Sequence, residues 1–206
     1  MRAGLLGGDA AAVRRLLALE HMALTRVAAG YAAGLADTID RLRRDAVEAS
    51  PLDADSGAMK PAEFGARLSL EVERCQRMDL PLGLVELAVE GDDEERRATG
   101  RPPRADVGRL GACVRENLRG YDSVGLTDGG DLVLVLPDIS RRGLAGAAER
   151  LRRELDACGG RRGTTPELTF ALAHYDLVDV NPQEMLTVLG RSVEQAREAR
   201  QPIVWA

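Results

Sequence analysis

Two carboxylates flank a pair of glycines at Asp128-Gly129-Gly130-Asp131, within "LTDGGDLVLVLP", residues 126–137. Apolar runs lie on both sides, so the four residues read as the tip of a β-hairpin. An acid-bearing glycine turn can belong to a catalytic site, because carboxylates are the usual protein ligands of a divalent cation such as Mg²⁺. It can also be only a turn whose glycines tolerate positive φ. The four residues alone leave both readings open.

The elements that must position this turn follow from periodicity. Residues 9 to about 49 read as helix, with Leu17, Leu24, Val27, Tyr31, Leu35 and Leu42 recurring at threes, fours and sevens. Such a narrow stripe suits a helix-pair or coiled-coil seam, so dimerisation is the expectation and packing on the chain's own domain the alternative. "EASPLDADSG" ends the helix with Pro51 and turn residues. This gives an N-terminal helical segment, 1–50, and a second unit, 51–206.

Within the second unit, helices alternate with strands. "PAEFGARLSLEVERCQRM" is an amphipathic helix, "LPLGLVELAVE" a strand, and "GDDEERRATGRPPRA" an acidic, Pro-containing loop. "VGRLGACVRENLRG" is a helix and "DSVGLTDGGDLVLVLP" the hairpin. A helix, the strand "LTFALAHYD", a further helix and the short strand "PIVWA" complete the chain. Helices returning to a sheet with a central hairpin imply an α/β sandwich, ferredoxin-like, with a central, mostly antiparallel sheet flanked by helices.

Composition narrows the function. Hydrophobic residues at 45% beside 30% charged ones indicate a globular chain with a substantial core. Aromatics at 3% and a net charge of −5 argue against nucleic acid as a partner. Lys60 is the only lysine, so nearly all positive charge is arginine. Cys75, Cys113 and Cys158 are widely spaced and odd in number, and read as reduced cysteines of an intracellular protein. His21 and His174 are too isolated for a histidine metal site. The most apolar N-terminal stretch is short and broken by Arg26, and no signal peptide is visible. A cytoplasmic protein without membrane insertion is expected.

From residue 53 onward the order of motifs resembles a GGDEF domain, the diguanylate cyclase family. "DADSGAMKPAEF" resembles the family's "DxLTGLxNRRxF", keeping Asp53, Gly57 and Phe64. "NLRGYDSVGLTDGGDLVLVLPD" resembles "lRxxDxvaRyGGDEFxllLP" without a gap, and "LGRSVEQAREAR" resembles the last helix, "ADxALYxAKxxGR". The resemblance implies a GGDEF-type (nucleotidyl-cyclase-like) sandwich. It places the five signature positions on Asp128, Gly129, Gly130, Asp131 and Leu132, so the visible "GGD" is one residue out of register. The acidic third position is Gly130, the fourth is Asp131, and the arginine two positions before the motif is Leu126. The family's Asp-x-Asp at the end of the first strand falls on Ala88-Val89-Glu90, and its first Asp, a metal ligand, is Ala88. The guanine-binding "NDxxGHxxGD" segment is represented by "ERRATGRPPRA", without the Asn and His.

Joining two GTP molecules requires divalent cations that neutralise triphosphate charge and activate a hydroxyl. Ala88 and Gly130 remove two carboxylates together, and each lost electrostatic element typically costs roughly 10²–10³ in rate. The resemblance therefore implies an inactive cyclase homologue with no metal and no cofactor. It also implies a surviving product site, for the family often carries an R-x-x-D that binds cyclic di-GMP. Here that motif is Arg119-Gly120-Tyr121-Asp122, ending six residues before Asp128, with Arg150 of "AERLR" as a third contributor. Arg115, Arg141 and Arg142 could extend it.

Three functions follow. One is a cyclic di-GMP receptor that signals by protein interaction, as a homodimer through the N-terminal helix or through the ligand, with a partner protein the sequence does not name. The second is a ligand-independent scaffold. The third, given least weight, is a residual enzyme around Asp131 and Glu90.

Overall fold

The computed structural model describes the backbone of residues 6–90, 99–159, 167–176 and 181–206; the side chains of 6–11 and of Glu90 lie outside that description. In chain order the elements are α1 (Leu6–Ala49), α2 (Pro61–Met78), β1 (Leu82–Glu90), α3 (Arg104–Glu116), β2 (Ser123–Leu126), β3 (Leu132–Pro137), α4 (Arg141–Gly159), β4 (Glu167–Tyr175), α5 (Pro182–Ala199) and β5 (Ile203–Trp205). The chain divides into two units after Ser50.

The first unit is α1. All of its described side chains are exposed, including the apolar stripe, with Leu24 at 69% and Tyr31 at 76%. Among the described residues no helix is long and apolar enough to cross a membrane.

The second unit is a five-stranded sheet in the order β2-β3-β1-β4-β5. Every neighbouring pair is antiparallel except β4 with β5. Helices cover both faces, which is why β1 and β3 read as nearly unbroken apolar runs. Side chains alternate across a strand. Leu82, Leu84 and Ala88 of β1 therefore pack with Phe64, Leu68 and Val72 of α2 and Met185, Leu189 and Val193 of α5. Val85, Leu87 and Val89 point the other way, into a core shared with α3 and α4. Asn181 caps α5, its side chain accepting from the Gln183 N–H at 2.8 Å, as an N-cap Asn does.

The cysteines correct one expectation. Cys113 of α3 and Cys158 of α4 form a disulfide, with Cα atoms 6.8 Å apart, and only Cys75 is a free, buried thiol. The two partners are 45 residues apart. Their spacing carries no signal, because the packing of α3 on α4 across one face of the sheet is what brings them together. The cysteines therefore lend no support to the location that reduced thiols suggested.

A bridge closing a loop of this length typically contributes about 2–4 kcal/mol. Reduction, or Cys158→Ser, is expected to lower the melting temperature by roughly 4–15 °C for a domain of this size. Thermal unfolding with and without dithiothreitol measures this; identical curves would show that the bond contributes nothing.

Candidate functional site

The hairpin turn is built by its own backbone. Thr127 N–H donates to Asp131 O at 2.9 Å, Gly130 N–H donates to Thr127 O at 2.9 Å, and Asp131 N–H donates to Thr127 Oγ1 at 3.2 Å. Gly130 has φ +87°, a conformation that costs an L-residue about 1 kcal/mol or more. The turn geometry itself thus favours glycine at the position where an acid was expected. On β2, Gly125 lies under the Phe64 ring, and a Cβ there would fall 2.3 Å from a ring carbon. That close approach seats α2 on the hairpin.

Asp128 and Gly129 are exposed at the tip, whereas Asp131 is buried, and Leu132 enters the core on the α3–α4 face. Asp131 Oδ1 accepts from Val89 N–H at 3.3 Å, which brings the turn beside Ala88. Its Oδ2 accepts from Arg197 Nη2 of α5 at 3.2 Å, and Arg197 Nη1 also pairs with Glu194. Glu86 lies on the same face of β1 as Ala88 and is 6% exposed. Burial pushes the Glu86 carboxyl up to about 7, with the Asp131 charge adding to the rise, Arg197 opposing it and Glu194 adding again. Among the described residues Glu86 has no hydrogen-bond or ion-pair partner.

These side chains line a groove of about 610 Å³ between the hairpin, α2 and α5, walled by Phe64 and Leu186. Ala88 and Gly130 bring no oxygen donor to it, and Asp131 already carries a guanidinium as its countercharge. Among the described residues no group of three acidic, His or Cys side chains is arranged to hold a metal ion. The described donors do not fit the octahedral oxygen set that Mg²⁺ demands. The Glu90 side chain and residues 91–98, which include the start of "ERRATGRPPRA", lie outside the described residues.

A second cluster sits on the turn between α3 and β2. Arg119 N–H donates to Asp122 Oδ2 at 2.8 Å, and Asp122 N–H donates to Arg119 O at 3.1 Å. Burial raises the Asp122 carboxyl, while the hydrogen bond from Arg119 N–H and the charges of Arg119 and Arg150 act against that rise. Arg119, Asp122 and Arg150 are therefore close enough to act on one another. The Arg119 guanidinium reaches Tyr121, donating to Oη at 2.8 Å and lying 5.8 Å from the ring centroid. Both arginines are exposed and Asp122 is partly buried.

The other arginines are dispersed. The Arg115 guanidinium lies against Gly57, where a Cβ would fall 2.1 Å from Nη1. Arg141 stacks on Trp205 at 4.4 Å, at the β5 edge of the sheet, opposite the β2 edge that bears Asp122. Arg142 is exposed on the first turn of α4. Glu86 and Arg197 were not singled out by the sequence reading. The one available signal was Glu86 itself, a lone acid inside the apolar run "LPLGLVELAVE".

No protein-family model matches the chain, and no curated protein matches its sequence. Solved structures do match. The chain is similar to the diguanylate cyclase SiaD from Pseudomonas aeruginosa, solved in complex with its activator SiaC, at 21% identity and TM-score 0.65 over 97% of this chain and 80% of that one. It is also similar to the coiled coil and GGDEF domain of DgcB from Caulobacter crescentus, solved with c-di-GMP, at 14% identity and TM-score 0.63 over 94% of this chain and 99% of that one. The GGDEF domain of FimX from Pseudomonas aeruginosa matches at 14% identity and TM-score 0.63, over 76% and 99%. The chain thus has the GGDEF-domain fold.

Glu86 generates a pH dependence. Its folded value of about 7 exceeds the ordinary carboxylate value of 4.5, so the folded state holds a proton that the unfolded state has released. Stability is therefore fullest below that ordinary value and falls as pH rises through the folded one, by on the order of 3 kcal/mol. Glu86→Gln is expected to abolish this fall. Urea unfolding of both proteins at pH 5 and pH 8 measures it, and parallel losses in the two would remove Glu86 as the cause.

Proposed function

We propose that this GGDEF-fold chain is a non-catalytic receptor for cyclic di-GMP, binding it at Arg119, Asp122 and Arg150. The observation that carries the reading is the turn that holds Arg119 against the partly buried Asp122 carboxyl, with the Arg150 charge near enough to act on it. An arginine fork can donate to O6 and N7 of guanine and its plane can stack on a base. A carboxylate can accept from the N1 and N2 hydrogens. Asp122 is suited to that task because its carboxylate accepts from the Arg119 backbone N–H, which leaves lone pairs for further acceptance. Several neighbours of the same fold were solved with c-di-GMP, which supports the ligand class.

The non-catalytic part rests on the groove. Ala88 and Gly130 supply no carboxylate, and Arg197 already neutralises Asp131. The signal would pass to a partner protein, and SiaD, solved in complex with its activator SiaC, is a neighbour of this fold that binds another protein. The exposed stripe of α1 is proposed to pair with a second copy, burying Leu17, Leu24, Tyr31 and Leu35. The DgcB neighbour includes a coiled coil as well as the GGDEF domain. A cytoplasmic location is part of the same proposal, since it is where the dinucleotide would be met.

Calorimetric titration tests the reading directly. Cyclic di-GMP is expected to bind, and Arg119→Ala to weaken it tenfold or more, the loss of a charge-assisted contact of about 1.5–3 kcal/mol. Absence of binding at tens of micromolar would overturn the receptor and leave a ligand-independent scaffold. No Mg²⁺-dependent GTP turnover is expected; turnover that disappears in Asp131→Asn would overturn the non-catalytic part. By light scattering the chain is expected to be a dimer, and Leu24→Glu/Tyr31→Glu a monomer.

A further inference from the structure

Glu86 and Glu71 are both buried, at 6% and 4% exposed, yet their surroundings differ. Glu71 is held between Arg67 and Arg74 of its own helix. Glu86 has no such partner among the described residues, although its carboxylate faces an open groove. An ionised carboxylate without a partner is costly to bury, and natural structures pair such groups or place them where something else pairs them. Near neutral pH Glu86 stands at its own protonation midpoint.

The groove around it is acidic. Among the described residues its charged lining is Glu86 from β1, Asp128 and Asp131 from the hairpin, and Glu194 from α5, against Arg197 alone. Arg197 is committed to Asp131 and Glu194, so Glu86 is left facing the cavity. The lining residues of α2, Pro61, Ala62, Phe64 and Gly65, carry no charge and form an apolar wall with Leu186. Gly190 of α5 passes above the carboxylate, where even a Cβ would stand 3.9 Å from Oε2. The volume, about 610 Å³, lies within the range of small-molecule sites, roughly 300–1,000 Å³.

We propose that this groove is a binding site for a small organic cation, a guanidinium or primary ammonium on a short apolar stem, with Glu86 as its anionic anchor and Phe64 and Leu186 against the stem. A cation there supplies the countercharge that Glu86 lacks, in surroundings dry enough to make the pairing strong. A polyphosphate is the wrong partner, because among the described lining residues four acids would oppose it and the one base is already engaged. The inference stands apart from the receptor reading, whose residues lie on the α3–β2 turn and on α4.

The test is calorimetric titration of the full chain at pH 8 with n-butylguanidinium, n-butylammonium and, as the neutral control, n-butanol. Both cations are expected to bind, and butanol at least tenfold more weakly. Glu86→Gln keeps the shape and removes the charge, and is expected to weaken both cations tenfold or more while raising thermal stability. Glu149→Gln, an exposed acid on the opposite side of the sheet, is expected to change nothing. Absence of cation binding, equal binding of butanol, or unchanged binding in Glu86→Gln would each overturn the proposal.

Discussion

The central strand of this sheet is covered on both faces, and most of the molecule follows from that burial. β1 pairs with β3 on one side and β4 on the other, while α2 and α5 close one face and α3 and α4 the other. A strand so enclosed has no water to spare for a charged side chain. Every polar group that enters the sheet must therefore be answered by a specific neighbour. Asp131, where β3 begins, is answered by Val89 N–H and Arg197. Glu86 has no hydrogen-bond or ion-pair partner among the described residues.

The Asp131–Arg197 pair joins two elements that the sequence separates by 66 residues. It fixes the last helix to the hairpin turn and sets the position of Glu194 through the same guanidinium. The hairpin in turn is locked from the other side by Phe64 lying on Gly125. One contact is apolar and closely packed and the other is ionic, and together they place the turn, α2 and α5 around one groove. Truncating either end would loosen both walls, so the groove and the sheet edge are a single packing problem.

Periodicity and turn chemistry made the architecture legible. The apolar stripe of α1, the helix with Phe64, Leu68 and Val72, and the hairpin around Gly129-Gly130 each carry a local signal that survives in the fold. The turn that joins Arg119 to Asp122 is local in the same way, with the Arg119 N–H bonded to the Asp122 carboxylate, while the ligand it would take is a proposal. Contacts between distant segments were not. Cys113 with Cys158, Asp131 with Arg197, and Arg141 with Trp205 depend on how layers stack, which no local pattern encodes. Glu86 was visible as a residue but not as a site, because its meaning depends on what fails to surround it.

The two clusters differ in a way that bears on how the fold is used. At Asp122 a partly buried carboxyl lies on an accessible turn with the charges of Arg119 and Arg150 acting on it, the arrangement on which the proposed anionic ligand depends. At Glu86 the field has the opposite sign, and among the described residues the groove's one guanidinium, Arg197, is paired with Asp131 and Glu194. Arg197 supplies to Asp131 the positive charge that a dication would bring to a carboxylate-rich turn. It does so without an open coordination position, and a side chain fixed in an ion pair cannot polarise a phosphate and then release it. With Gly130 satisfying the turn's φ and Ala88 completing the core, both positions hold residues that suit their packing. On the proposed non-catalytic reading, the residues that fit this turn into its packing are also the ones that bring no oxygen donor to it.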